Sequence, residues 1–408
     1  MSKDKIVVLG LGMQGKAALY DIFQNCDAAT ISVADNFPEL QKHLNQYPSS
    51  RVTGINIDAT DKDQLLSLMK NASIVIDALP GAFAFNIAQI AAQAGVNLVS
   101  SMYYINPLEK ESHKIERLKE ELDQLDKQAK SKGVTLLPEF GLDPGIDLVM
   151  GAKGLSEFDT VDVFNSYGTG LPVGQSAKNP LKYRFSWSVT GVMHASKRPA
   201  RIIRNGKEVE IDGLDIFASE NRHILEIEEL DTPMECYPNG NSIYYADFYG
   251  ILNSIKEMGR YACRWPGHCD FWRAMVNSGF LNSEPVKIGS QTISPIEFTA
   301  ALLNSQAQFH YGENDVDIAM VRTDMVGYKN GEKKQIIYQL IDQRDMTTGF
   351  TAMQRTVGFM MGMGARFILE GKISKSGVIS PIDVPYEMVQ DELKQYGMKI
   401  SRKEISQS

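Results

Sequence analysis

The fold of this chain is decided by the stretch Lys5-Ile6-Val7-Val8-Leu9-Gly10-Leu11-Gly12-Met13-Gln14-Gly15. Its apolar first half predicts a buried strand, and an amphipathic helix follows the glycines as far as about Asn25. Gly10 permits a tight turn, Gly12 lets the backbone approach a pyrophosphate at the positive end of that helix, and Gly15 lets the helix pack closely on the strand. This spacing predicts a dinucleotide-binding site.

Asp35 indicates which dinucleotide to expect. It ends a second apolar run, where a carboxylate can accept hydrogen bonds from both ribose hydroxyls and repels a 2′-phosphate. The expected cofactor is therefore NAD, with NADP as the alternative. Ligands of open α/β sheets bind outside the carboxyl ends of the strands. On that rule the predicted cofactor-binding residues are Gly10, Gly12, Met13, Gln14, Gly15, Asp35, Asp58, Ala59, Leu79, Pro80 and Ser100.

Composition excludes several classes of partner. Apolar residues make up 43% of the 408 residues, and the net charge of −8 comes without a basic block, so nucleic acid is not the expected partner. No apolar run approaches the roughly 18 residues of a membrane span. The four cysteines are scattered without a Cys-x-x-Cys pair, so we expect reduced thiols, a cytoplasmic protein and no metal site.

The pattern of elements predicts two domains. Strands alternate with helices over residues 1–150, which indicates an α/β Rossmann domain with a doubly wound parallel sheet. Residues 151–344 mix strand-like runs, turns and helices, as in an α+β substrate domain. Residues from about 345 to 408 return to helix and are expected to rejoin the Rossmann domain. Within them, Thr351–Leu369 reads as an interior helix with small residues on one side.

The candidate chemical groups lie in polar loops after strands and in the second domain. Tyr103, Tyr104 and Asp143 are the candidate acid/base groups, although either tyrosine could pack in the core and Asp143 could cap a helix. Arg184 and Arg264 are candidates for binding a substrate carboxylate, and each could instead form a structural ion pair. Trp187 is expected in the core. The predicted substrate-binding residues are Ser101, Gly141, Leu142, Leu171, Arg184, Trp187 and Arg264.

These segments together resemble the saccharopine dehydrogenase family over nearly the whole chain. The residues 141–147, Gly-Leu-Asp-Pro-Gly-Ile-Asp, are similar to that family's strand-to-helix motif. Residues 170–172, 179–181 and 185–188 resemble its glutamate-forming saccharopine dehydrogenases, whereas 264–268 and 348–353 are closer to its lysine 6-dehydrogenases. The resemblance implies an NAD(P)-dependent oxidoreductase acting on the C–N bond of a small lysine-derived amino acid. It also implies a homodimer built through the second domain.

Departures from the glutamate-forming pattern leave the substrate open. Thr190 and Gly240 stand where those relatives have arginines, and Asp35 stands where they tend to have no acid. Saccharopine carries three carboxylates, so the absence of these two arginines favours lysine as the substrate. The resemblance implies glutamate-forming saccharopine dehydrogenation first and lysine 6-dehydrogenation as the alternative. A dinucleotide-binding protein without turnover and a polyamine-forming reductase remain further alternatives.

Overall fold

The computed structural model describes residues 4–27, 29–106, 109 and 112–406. The strands are β1 (Lys5–Leu9), β2 (Thr30–Asp35), β3 (Val52–Asn56), β4 (Ile74–Asp77), β5 (Asn97–Ser100), β6 (Thr135–Leu137), β7 (Thr160–Pro172), β8 (Ala200–Arg204), β9 (Lys207–Ile211), β10 (His223–Leu225), β11 (Met234–Pro238), β12 (Glu257–Arg264), β13 (Val286–Ile288), β14 (Gln291–Ile293), β15 (Asp317–Lys329), β16 (Glu332–Gln343), β17 (Gly377–Val378) and β18 (Ile400–Ser406).

The α-helices are α1 (Met13–Asn25), α2 (Leu40–Leu44), α3 (Lys62–Met69), α4 (Ala84–Ala94), α5 (Ser112–Lys132), α6 (Ile146–Leu155), α7 (Val189–Ala195), α8 (Ser242–Phe248), α9 (His268–Asn277), α10 (Pro295–Asn304), α11 (Ala352–Gln354), α12 (Met360–Leu369) and α13 (Tyr386–Gln395). Short 3-10 turns lie at Gly81–Phe83, Gly174–Ala177, Ala307–Phe309 and Pro381–Asp383, and a π-helical segment, Arg355–Phe359, joins α11 to α12. None of the helices in the described ranges is both long and apolar enough to cross a bilayer.

The chain divides into two compact units. Unit 1 comprises Met1–Val149 and Gln354–Tyr396, and unit 2 comprises Met150–Met353 and Gly397–Ser408. The division differs from the predicted one at the carboxyl end, because β18 pairs with β16 in antiparallel register instead of joining the Rossmann domain. Strand pairing between segments far apart in sequence places β18, and no local pattern encodes it.

Unit 1 contains the predicted doubly wound sheet. Its strand order is β17-β6-β5-β4-β1-β2-β3, and every pair in it is parallel. The order reverses at β1, and such a reversal is the topological switch point at which open α/β sheets bind ligands. Residues 6–9 of β1 and 74–76 of β4 are buried and apolar, as parallel sheets covered on both faces require, and β4 ends in the buried Asp77. The carboxyl ends of β1, β2, β4 and β5 therefore define the edge where a dinucleotide site belongs.

The predicted interior helix at Thr351–Leu369 is interrupted by its π-helical segment. It packs on α1 so closely that a Cβ at Gly358 would meet the side chain of Ala17, and one at Gly362 would meet the Asp21 carboxylate. Small residues are needed there for the helix backbones to approach. The predicted pattern of small residues thus reflects helix packing within unit 1.

A buried charged network joins three helices of unit 1. Arg366 on α12 lies 3.3 Å from a carboxylate oxygen of Asp21 on α1 and 2.6 Å from one of Glu392 on α13. The Tyr396 hydroxyl accepts a hydrogen bond from Arg366 and donates one to Asp21. Burial raises the pKa of Asp21, and the Arg366 charge opposes that effect. The network holds the carboxyl-terminal helices on α1.

Unit 2 is built on a mixed sheet, as an α+β domain requires. The path β10-β11-β12-β7-β15-β16-β18 contains one parallel pair, β7 with β12, and β8 and β9 extend it beside β12. Its large apolar core includes Trp272, Phe217 and Phe185. Tyr183 is part of this core, Arg184 follows it in sequence, and Arg264 follows the core residue Cys263.

Candidate active site

The glycine-rich loop of unit 1 has the shape that a pyrophosphate needs. Gly10 adopts a φ of +86°, and a Cβ there would lie 2.9 Å from the Ala78 carbonyl oxygen. A Cβ at Gly15 would overlap the Gly10 carbonyl oxygen. A Cβ at Gly12, by contrast, would meet nothing within 4 Å, and α1 begins at the next residue. The loop therefore presents an open face at the positive end of a long helix, which fits a bound dinucleotide.

Asp35 supports this loop directly. Its Oδ2 accepts a 2.6 Å hydrogen bond from the Leu11 amide, and its Oδ1 accepts one of 3.0 Å from the Phe37 amide. A carboxylate has about four acceptor positions, so each oxygen keeps capacity for a ribose hydroxyl. The structure thus gives Asp35 a second role, holding the loop, that spacing alone did not predict.

The other predicted nucleotide contacts border the same edge of the sheet. Asp58 is exposed, and its Oδ1 accepts hydrogen bonds of 2.8 Å from the amide and the hydroxyl of Thr60, which lower its pKa. Ala59 and Leu79 are half-buried, and Pro80 is exposed before a 3-10 turn. Met13 and Gln14 form the first turn of α1, where the Met13 carbonyl accepts a bond from Gln354. Binding by these residues stays a prediction.

Two predicted loops are brought together after β5 and β6. The Phe140 amide donates to the Ser100 carbonyl at 2.9 Å, and the Glu139 amide donates to the Met102 carbonyl at 3.1 Å. A Cβ at Gly141 would lie 3.1 Å from the Ser101 Cβ, so only glycine fits comfortably there. Ser100, Ser101 and Gly141 thus share one edge, and all three are buried, as is the Leu142 side chain.

The three acid/base candidates differ sharply in exposure. Tyr104 is 6% exposed and packs against Phe85, and its hydroxyl lacks a partner among the described residues. Burial raises its pKa well above the usual range, with the charge of Asp77 adding to the effect. Tyr103 is half-buried and Asp143 is exposed. Of the pair, Tyr103 is therefore better placed to reach a ligand.

Helix α6 begins at Ile146, and Asp147 is the acid in its first turn. Its Oδ1 accepts a 2.8 Å bond from the Gly145 amide. Capping of α6 by Asp143, which the sequence left open, stays a prediction. A catalytic role for Asp143 stays a prediction.

Arg184 in unit 2 has a full set of internal partners. Its Nε donates to the Ser176 carbonyl at 2.8 Å, and one terminal nitrogen lies 3.1 Å from a carboxylate oxygen of Asp315. The same nitrogen donates to the His310 carbonyl. This is the structural ion pair that the sequence left open. A substrate carboxylate would have to compete with Asp315, so its predicted role in binding substrate is weakened and remains untested.

Arg264 stands in contrast. One terminal nitrogen donates to the Cys263 carbonyl at 2.8 Å and to the Thr169 hydroxyl at 3.3 Å, while its Nε is buried without a partner. Among the described residues, no carboxylate lies within ion-pair distance of it. An enclosed cation without a counter-ion is costly unless a ligand supplies the charge. Of Arg184 and Arg264, Arg264 therefore fits a carboxylate ligand better.

Aromatic rings enclose Arg264. Its guanidinium lies 5.3 Å from the ring centre of Tyr183 and 5.9 Å from that of Tyr237. His268 stacks on Tyr237 at 5.9 Å, and its Nε2 is buried without a partner. Burial and the Arg264 charge lower the pKa of His268 well below its usual range, so this ring is neutral. Sequence reasoning missed Tyr237, which no motif marks as a neighbour of Arg264.

The remaining two predicted substrate residues have different environments. Leu171 belongs to the apolar core of unit 2. Trp187 is 41% exposed and lies against Gly191, so its predicted core position is wrong. An exposed indole beside the short helix α7 is free to contact a ligand.

Comparison with known proteins assigns both halves of the chain. A model of the saccharopine dehydrogenase NADP binding domain matches residues 6–137, and one of the saccharopine dehydrogenase C-terminal domain matches residues 141–398. The first match supports a nicotinamide dinucleotide cofactor and, with the name of the yeast relative described below, favours NADP over the NAD expected from Asp35.

Curated relatives and a solved structure support the same family as the two domain models. The chain is 25% identical to the α-aminoadipic semialdehyde synthase of Arabidopsis thaliana and 26% to that of Mus musculus. These alignments cover 87% and 93% of the chain but 39% and 45% of those proteins, so the chain spans less than half of their length.

It is also 24% identical to the NADP(+), L-glutamate-forming saccharopine dehydrogenase of Saccharomyces cerevisiae, over 98% of the chain and 99% of that enzyme. The apo structure of the L-Glu-forming yeast saccharopine dehydrogenase superposes with a TM-score of 0.83 at 23% identity, covering 99% of this chain and 100% of that one. With both family models matched over its two parts, this chain belongs to the saccharopine dehydrogenase family.

Proposed function

We propose that this chain is a nicotinamide-dependent oxidoreductase that acts on the C–N bond of a lysine-derived amino acid, with saccharopine as the first candidate substrate. The family match supports the reaction class. The observation that carries the substrate class is Arg264, an enclosed guanidinium whose Nε has no partner and which has no carboxylate counter-ion among the described residues. Such a group fits the carboxylate of an amino acid.

We assign a separate role in the reaction to each candidate residue of this chain. The glycine loop would hold the dinucleotide, which would supply the hydride acceptor for oxidation of the carbon next to the substrate amine. Asp143, which is exposed, would orient the amine and accept its proton. Tyr103, which is also in unit 1, would orient the amine as well. In unit 2, Arg264 is the candidate for binding a carboxylate. The imine that results is hydrolysed by water.

The choice between NADP and NAD belongs to this proposal. The comparisons favour NADP. Asp35 opposes it in this chain, because a carboxylate beside the ribose repels a 2′-phosphate. We propose that Asp35 shifts the preference toward NAD relative to the NADP(+) enzymes among its relatives.

Lysine is the second candidate substrate, and a specific observation favours it. Thr190 and Gly240 occupy the positions where arginines were expected, and Arg184 is paired with Asp315. Arg264 alone would suit an amino acid with one carboxylate better than saccharopine, which has three. An intact saccharopine site would need other cations to replace the missing ones.

The test is a spectrophotometric screen of the purified chain for formation of reduced nicotinamide. NAD and NADP are supplied separately with saccharopine, lysine and ornithine at mildly alkaline pH. Turnover of saccharopine supports the first candidate, and turnover of lysine alone supports the second. Binding of a dinucleotide without turnover of any of the three would refute the proposal and favour a non-catalytic binder.

Two further expectations belong here as predictions. The family resemblance favours a homodimer, which light scattering coupled to size-exclusion chromatography would check. The reduced cysteines favour a cytoplasmic location, which fractionation of the source cells would check. All four cysteines are free of disulfides.

A further inference from the structure

Asp77 is a buried acid that neither the dinucleotide fingerprint nor the proposed reaction uses. It ends β4 at the carboxyl edge of the unit 1 sheet and is 0% exposed. Its Oδ1 accepts a 3.1 Å hydrogen bond from the Leu79 amide, and its Oδ2 accepts one of 3.2 Å from the Ser100 hydroxyl. The Ser100 oxygen in turn accepts the Met102 amide at 3.2 Å. One carboxyl group thus joins the loops after β4 and β5.

The two loops that Asp77 joins are the ones expected to touch the ligands. Leu79 and Ser100 are predicted cofactor contacts. The Met102 carbonyl is itself bonded by the Glu139 amide, and a Cβ at Gly10 would lie 2.9 Å from the Ala78 carbonyl oxygen. The glycine loop and the loop after β6 therefore meet the same small assembly. A change at Asp77 would be transmitted to the edge that binds the dinucleotide.

The surroundings of Asp77 hold no compensating charge among the described residues. Its neighbours in register on β1 and β5 are Leu9 and Ser100, both uncharged. Tyr104 is a titratable group that interacts electrostatically with Asp77, and its phenol stays protonated. Burial raises the pKa of Asp77 from 3.8 to about 7, against the lowering effect of its hydrogen bonds to Leu79 and Ser100. Its protonation therefore changes near neutral pH.

We propose that Asp77 is a positioning residue that holds the loops after β4 and β5 at the spacing required for dinucleotide binding. The proposal rests on the dinucleotide site of the proposed function. When ionised, Asp77 accepts both the Leu79 amide and the Ser100 hydroxyl. Protonation removes the charge that strengthens both bonds and reverses the second, so that Asp77 donates to the Ser100 oxygen, and the loops then separate more easily.

The experiment compares Asp77→Ala and Asp77→Asn with the unchanged chain. The dissociation constant of the reduced dinucleotide is measured by its fluorescence, at pH values on either side of 7. Asp77→Ala is expected to weaken binding about 10- to 100-fold, because both loops lose a charged acceptor. Asp77→Asn keeps an acceptor for Leu79 and a donor toward Ser100, as the protonated acid does, so it should bind at every pH as the unchanged chain binds below pH 7. The unchanged chain should bind more weakly below pH 7, and Asp77→Asn should lose that step.

Matched controls keep the outcome decisive. Asp123→Asn makes the same change on the exposed face of α5, where Asp123 pairs with Lys127, and should leave binding unchanged. If Asp77→Ala does not fold, the test is whether the pH dependence of dinucleotide binding seen in the unchanged chain is absent in Asp77→Asn. Unchanged affinity in folded Asp77→Ala, or a pH step that persists in Asp77→Asn, would overturn the proposal. A chain that turns over no substrate but loses dinucleotide affinity in Asp77→Ala would refute the proposed function and leave the role of Asp77 standing.

Discussion

Two arginines in unit 2 provide a direct test of how the substrate carboxylate is held. Arg264 has two hydrogen bonds and no counter-ion among the described residues, while Arg184 has Asp315 and two carbonyl partners. We expect Arg264→Met to lower substrate affinity much more than stability. Arg184→Met should instead lower stability more than substrate affinity. Methionine keeps the length of the side chain and removes the charge, which makes the pair matched.

The magnitude for Arg264 follows from its surroundings. Enclosing a guanidinium costs a few kcal/mol. Its two hydrogen bonds return about 1–2 kcal/mol each, and its approach to Tyr183 and Tyr237 returns about 0.5–2 kcal/mol. These effects nearly cancel, so Arg264→Met should change the free energy of unfolding by less than about 1 kcal/mol. Loss of the charged pair with a substrate carboxylate should cost about 2–5 kcal/mol, which raises the dissociation constant about 30- to several thousand-fold.

Arg184→Met should behave differently. It leaves Asp315, whose side chain is 19% exposed, without its cation and leaves two carbonyls without a donor. We expect a loss of about 2–4 kcal/mol in the free energy of unfolding. Urea unfolding gives the stability, and calorimetric titration of the substrate that turns over gives the affinity. The reasoning about Arg264 is refuted if its variant loses as much stability as the Arg184 variant while keeping the substrate affinity.

Three further predictions concern unit 1. Asp35→Ala should change the ratio of the dissociation constants for NAD and NADP about tenfold or more in favour of NADP, measured by fluorescence titration, and an unchanged ratio would remove Asp35 from ribose recognition. Arg366→Met should leave Asp21 and Glu392 buried without a cation, costing about 3–5 kcal/mol and lowering the Tm by about 6–20 °C in calorimetry, whereas an unchanged Tm would mean that the network does not hold the helices. Because folding raises the pKa of Asp77 from 3.8 to about 7, the folded chain binds this proton more tightly than the unfolded chain. The stability of the unchanged chain should therefore fall as pH rises from 3.8 to 7 by about 4 kcal/mol relative to Asp77→Asn, and parallel pH profiles of the two would contradict it.

Much of unit 1 could be predicted because its signals are local. The strand, glycines, helix and terminal acid at residues 5–35 lie within one continuous stretch, and each residue's role follows from backbone geometry. Parallel strands with short helical connections leave few possible topologies. The switch point at β1 and the edge that bears Asp35 and Ser100 were therefore predictable before any coordinates.

The side-chain roles in unit 2 could not be predicted in the same way. Arg184 and Arg264 look alike in sequence, and only the position of Asp315, far along the chain, distinguishes them. The same difficulty arises in unit 1, where Tyr103 and Tyr104 are adjacent, yet one is half-buried and the other lies in the core. These differences depend on contacts between distant segments, and residue type and spacing carry no record of such contacts.

The sequence by itself determined the Rossmann fold, the dinucleotide loop and the membership of a dehydrogenase family, because backbone requirements impose glycines and acids at fixed spacing. Only the tertiary structure decided that β18 completes the second sheet, that Arg264 has no carboxylate counter-ion among the described residues, and that Asp77 is buried between two loops. The physical reason is that burial and charge pairing arise when segments distant in sequence pack together. Whether the pKa of a side chain is shifted, or whether a cation has a counter-ion, therefore depends on the packed fold.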